Sequence, residues 1–118
     1  MSKNQADESN AHTAKIRDLN DQFRIRGMGN GSLMITAGVS ALGDACVAAI
    51  IAAVRTFAAF TADNDPHGEH DFGSLELSGE KLFWKIDYYD PSLEAGSPDP
   101  ADEAVTRRVL TIMLASEY

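Results

Sequence analysis

The sequence predicts an α+β domain: a small antiparallel or mixed sheet, one strand plus a β-hairpin, packed on one face by about three helices. Three patterns predict it. Apolar residues recur at helical spacing, first in Ile16, Leu19 and Phe23 and again in Val47, Ile50, Ile51, Val54 and Phe57. Leu75 and Leu77 alternate with polar residues, and the alternation resumes from Glu80 to Tyr89 beyond a Ser78-Gly79 turn. Asp99-Pro100 puts a capping carboxylate before a proline, with Asp102 and Glu103 following, the signature of a helix start.

Taken in order, residues 1–10 are polar and without periodicity, so a disordered tail is expected there and a single domain over 11–118. An amphipathic helix then runs from about Ala11 to the glycines at 27, 29 and 31. Leu33 to Thr36 is short, apolar and partly β-branched, which suits a strand. After a loop around Gly38 to Gly43, Asp44 is placed to cap a second helix reaching about Phe60. Pairing Leu77 with Glu80 sets Leu75 opposite Leu82, so the leucines share a face with Trp84, Ile86 and Tyr88. Phe83, Lys85, Asp87 and Tyr89 then point the other way, an aromatic patch with charges if no helix covers it. Val105, Val109, Ile112 and Met113 have the spacing of a buried face on a third, C-terminal helix.

Charge narrows the function classes. The net charge is −8, and from Asp63 to Glu103 twelve acidic residues stand against only Lys81 and Lys85. Such a block repels phosphates, so direct nucleic-acid binding through it is not expected; a basic protein surface is a fitting partner. Cys46 is the only cysteine, which excludes an intrachain disulfide and fits a reducing cytoplasm. At the start of its helix, with no basic neighbour, it reads as a small buried hydrophobe. The longest apolar run, Ala45 to Phe60, is broken by Arg55 and falls short of the roughly 20 residues a membrane span needs. No secretory signal is visible, so a cytoplasmic protein is expected. Oligomeric state is not legible.

The densest chemistry lies in Asp63-Asn64-Asp65-Pro66-His67-Gly68-Glu69-His70-Asp71-Phe72-Gly73. Three readings of it compete. As a metal site, His67, His70 and Asp71, with Glu69 nearby, offer the mixed nitrogen and oxygen ligands that a divalent transition metal accepts. As an acid–base site, His70 sits between Glu69 and Asp71, with Asp87 or Asp90 available to orient the ring. As architecture, aspartate, asparagine, proline and glycine are the residues of tight turns, and histidine can pin them. No activated serine or cysteine accompanies the loop, so no catalytic residue is assigned. The expected binding set is Asp63, Asp65, His67, Glu69, His70, Asp71, Asp87, Tyr89 and Asp90. Arg107 and Arg108 read as solvated, or as paired with the acidic loop.

The same loop, together with Phe83-Trp84-Lys85-Ile86-Asp87-Tyr88-Tyr89-Asp90 and Thr106-Arg107-Arg108-Val109-Leu110-Thr111-Ile112-Met113, resembles the bacterial domain-of-unknown-function family DUF3768. With Ile16 to Phe23 and Met34 to Gly38 the resemblance extends over about residues 14–118. It implies a small cytoplasmic protein of a kind often carried on plasmids and other mobile elements, and it implies no activity, cofactor or catalytic residue. The leading expectation is a non-catalytic interaction or inhibitor module that presents an acidic face, of an anti-restriction or anti-CRISPR type in its most specific form. The alternative is a metal-dependent hydrolase using His67, Glu69, His70 and Asp71.

Overall fold

A computed structural model describes residues 2–118, with side chains from Glu8 onward. Helix α1 spans Ser2–Arg26, β1 Gly31–Ile35, α2 Ala37–Ser40, α3 Asp44–Arg55, β2 Phe72–Leu77, β3 Glu80–Tyr89 and β4 Arg107–Leu114. Short 3-10 turns cover Glu103–Val105 and Ala115–Glu117. The tail expected over residues 1–10 lies largely outside the residues whose side chains are described.

The four strands form one mixed sheet in the order β1-β4-β3-β2. The α+β class and the strand-plus-hairpin sheet are those read from the sequence. So is the hairpin register: Leu77 pairs with Glu80 and Leu75 with Leu82. Ser78 and Gly79 both hold positive φ, 54° and 80°, as the mirror-image turn of a two-residue hairpin requires.

Three elements depart from expectation. The C-terminal helix is instead β4, a central strand paired parallel to β1 and antiparallel to β3. Arg108, Leu110 and Ile112 alternate as buried residues on one face, Met113 is buried on the other, and the strand's Val, Thr and Ile content favours a pleated, packed surface. The Asp99-Pro100 signal is real but local. Asp99 accepts from the Ala101 amide and Asp102 from the Ala104 amide, closing turns that stop after one 3-10 turn. The third helix is the single turn α2, capped by Thr36, within the stretch expected to be a loop. Helix α3 ends at Arg55 rather than near Phe60, where Thr56 Oγ1 donates to the Ala52 carbonyl and the chain bends so that Phe57 and Phe60 meet Trp84 edge-on.

All three helices feed one core. Phe23, Val39, Ile50 and Val54 pack against Leu82, Trp84, Ile86, Leu110 and Ile112 on one sheet face. The pleat sends Phe83, Lys85, Asp87 and Tyr89 to the opposite face, which no described helix covers. No helix among the described residues is long and apolar enough to cross a membrane.

Candidate functional site: a polar cluster between the first helix, the acidic loop and the third strand

Helix α1 buries an unusual stripe. Ile16 and Phe23 are core residues, as their spacing predicts, but Asn20 and Arg24 on the same stripe are 0% and 1% exposed. A buried polar group must be matched, and here all are except Arg24 Nε. Asn20 Nδ2 donates to the Glu69 carbonyl at 2.9 Å and to the Tyr88 hydroxyl at 2.8 Å, while its Oδ1 accepts from Arg108 Nε at 2.6 Å. Arg108 also donates to the Pro100 carbonyl at 2.6 Å and lies over the Tyr88 ring. Of the two expectations for the pair, solvated or paired with the acidic loop, Arg108 meets neither directly: it is buried and reaches the loop only through Asn20, while Arg107, on the other face, is exposed. Burial pulls both buried guanidinium groups below their ordinary pKa, yet arginine keeps its charge.

The acidic loop closes onto this stripe. His70 takes a left-handed backbone, φ 55°, and its ring stacks on Phe60 at 3.7 Å. Its Nδ1 lies 3.0 Å from Asp21 of α1; a carboxylate only accepts, so Nδ1 carries the proton. Its Nε2 faces Asp65 at 3.6 Å, and Asp65 also accepts from the His70 amide. Tyr88 donates to Glu69 at 2.9 Å and touches Asp71 at 3.4 Å. Arg17 donates to the Gly68 carbonyl at 3.0 Å. Burial holds the Tyr88 phenol far above its ordinary pKa.

The sequence-predicted residues therefore separate into three groups. Asp65, Glu69, His70 and Asp71 come together, with Asn20, Asp21 and Tyr88. Asp63 and His67 are exposed. Asp87 and Tyr89 lie on the bare sheet face, where Asp87 pairs with Lys85 at 3.0 Å, and Asp90 folds on Ser92 and Glu94 in its own turn. The ring of His70 is oriented by Asp21, not by Asp87 or Asp90. His67, His70 and Asp71 do not gather into a metal centre: both His70 nitrogens face carboxylates, Asp71 faces Tyr88, and His67 is turned to solvent. Among the described residues no three His, Cys, Asp or Glu side chains are placed to hold a metal. The partners missed in the sequence, Asn20, Asp21, Arg24 and Arg108, left one signal. Asn20 and Arg24 occupy helical positions in line with Ile16 and Phe23.

The cluster has a pH signature. Burial raises the Asp71 carboxyl above its ordinary value, and the charges of Glu69 and Asp65 add to the shift. A raised value means the folded chain holds that proton more tightly than the unfolded one. The group therefore favours folding in acid, and its contribution is lost as pH rises through its folded pKa. Asp71→Asn is expected to raise the melting temperature by a few degrees at neutral pH, and the gain should shrink toward about pH 4. Thermal unfolding at both pH values checks this; an equal gain at both, or none, goes against it.

A helix-backed mixed sheet with a charged loop tied to its first helix by Arg17 and the buried Asn20 defines a small α+β domain. The chain belongs to the family described as protein of unknown function (DUF3768), whose sequence pattern matches residues 35–117. Helix α1, which supplies Asn20, Asp21 and Arg24 to the cluster, lies outside that matched stretch. The comparison with curated proteins gives no match, and neither does the comparison with solved structures.

Proposed function

We propose that the chain is a non-catalytic interaction module whose acidic surface receives a basic protein partner. The observation that carries this reading is a groove of about 500 Å³ between α1 and the segment before β4, lined by Lys15, Leu19, Asp99, Ala101, Asp102 and Glu103. Three carboxylates outnumber the single cation, Lys15, around the apolar Leu19 and Ala101. That combination fits a lysine or arginine side chain, whose stem packs on the apolar pair while its head meets the carboxylates. Asp99 stays ionised to low pH, since the hydrogen bonds from His12 and from the Ala101 amide hold its carboxyl below the ordinary range. Meanwhile His70, Glu69 and Asp71 are bonded within the fold, which suits architecture better than proton transfer to a substrate. In its most specific form the module is an inhibitor whose acidic face occupies a nucleic-acid-binding cleft, with complementary charge speeding association.

Affinity capture from the native host, with wild-type chain and Asp102→Lys/Glu103→Lys as parallel baits, tests the reading. A partner held by the wild type should bind the variant at least about tenfold more weakly and should elute with salt. A partner retained equally by both baits and insensitive to salt would exclude the acidic groove as the binding surface.

A further inference from the structure

The sheet face away from the helices is apolar at its centre, where Met113 is already buried, and no described helix lies across it. Met34 of β1, Val109, Thr111 and Met113 of β4 and Phe83 of β3 share it, as their pairing across the strands requires. Phe72 and Tyr118 extend it, each within 6.0 Å of the Phe83 ring or of one another, ring centre to ring centre. Met34 is 55% exposed and Tyr118 75%. A sheet with apolar side chains on both faces is stable in water when both are covered.

We propose that a second copy of this chain covers this face, the two sheets packing across a twofold axis. Charge selects the occupant. The molecule carries −8 overall, yet the basic side chains on this face, Lys81, Lys85 and Arg107, outnumber the acidic ones, Glu76 and Asp87. It is the surface on which two acidic copies can approach without carboxylate meeting carboxylate. Cations and anions are mixed within it, so the face is complementary to itself, as a twofold contact demands. A single-stranded nucleic acid would find the aromatic rings, but three cations, one of them already paired with Asp87, are few against the charge of the whole molecule. Area supports the same occupant. Four strands at about 4.8 Å spacing, averaging about seven residues at about 3.3 Å each, present a face of roughly 450 Å², and two such faces bury about 900 Å², close to the roughly 1,000 Å² at which a specific dimer begins. Sheets packed this way keep their strands within about 30° of each other.

Sedimentation velocity on the full chain, across roughly 1 μM to 1 mM, tests the proposal. The wild type should pass from monomer to dimer within that range. Met34→Lys/Thr111→Lys should remain a monomer throughout while keeping the wild-type circular dichroism. Lys85→Glu, a change at a half-exposed position that leaves the core untouched, should weaken the dimer about tenfold or more by placing carboxylates together. That variant serves if the double substitution prevents folding. A wild type that is monomeric at every concentration overturns the proposal, as does a dimer that Lys85→Glu leaves unchanged. Binding of an oligonucleotide in place of self-association also overturns it.

Discussion

Arg24→Met is expected to cost about 3 kcal/mol of folding stability, a large share of the total for a domain of this size. Arg24 Nη1 donates to the carbonyls of Val54, at 2.8 Å, and Phe57, at 3.0 Å, and its Nη2 reaches Asp21 at 3.3 Å. It thus serves as the C-terminal cap of α3, where carbonyls lack helical partners and the helix dipole favours a cation. Its plane lies over Trp84 and Phe60, 5.0 Å and 5.4 Å from their ring centres.

Two effects oppose each other in this substitution. Removing a buried cation recovers its desolvation cost, and Arg24 Nε is itself buried without a partner. Exchanging a whole buried ion pair for apolar residues is often neutral for that reason. Here the partners are mostly backbone carbonyls, which remain after the change. Each buried acceptor left unmatched costs about 1–3 kcal/mol, so the loss wins. Arg24→Ala should cost about 1–2 kcal/mol more, because it adds a cavity beside Trp84. Arg24→Lys should cost least of the three, since an ammonium can still reach a carbonyl but cannot fork between several. Urea unfolding followed by circular dichroism gives the order. An Arg24→Met chain within about 1 kcal/mol of wild type would show that the cap contributes little.

How much of this was legible from the sequence follows from the reach of each interaction. The Leu75–Tyr89 hairpin is a local object: a strict alternation and a two-residue turn specify it, and the observed register matches pair by pair. Strand β4 is not local. Val105, Val109, Ile112 and Met113 satisfy a helical template as well as a strand one, and Asp99-Pro100 tilts the choice toward helix. The pairing that decides it comes from β1, more than 70 residues upstream, and from β3. The candidate site divides in the same way. The loop's carboxylates and imidazoles stand out by density, but what each does depends on α1, with Asp21 reaching His70 across 49 residues of sequence. His67 and His70 look equivalent in the sequence. Only the fold separates them, one to solvent and one into a stack on Phe60.

Gly73→Ala is the second substitution with a large expected effect, and its cause is a single close approach. Gly73 is buried opposite Trp84 in the hairpin, and a Cβ there would lie 2.3 Å from the indole Nε1 and 2.5 Å from Cε2. Trp84 is 0% exposed and hemmed in by Arg24, Phe57 and Phe60, so the ring has no free direction in which to yield. The same contact explains why Trp84 Nε1 is buried without a hydrogen-bond partner: the position facing it has no side chain to offer one. Overpacking at such a site costs about 1–3 kcal/mol, and the upper end is expected here because strand pairing on both sides of β3 prevents the backbone from parting. The pair makes a sharper test than the single change. Trp84→Phe is destabilising alone through lost packing, yet it removes the atoms that meet the new methyl. The two substitutions together should therefore cost at least about 1 kcal/mol less than the sum of their separate costs, read from urea unfolding of the four chains. Additive costs would mean that Gly73 is required for some reason other than the indole, and the close approach would lose its place in the account of this sheet.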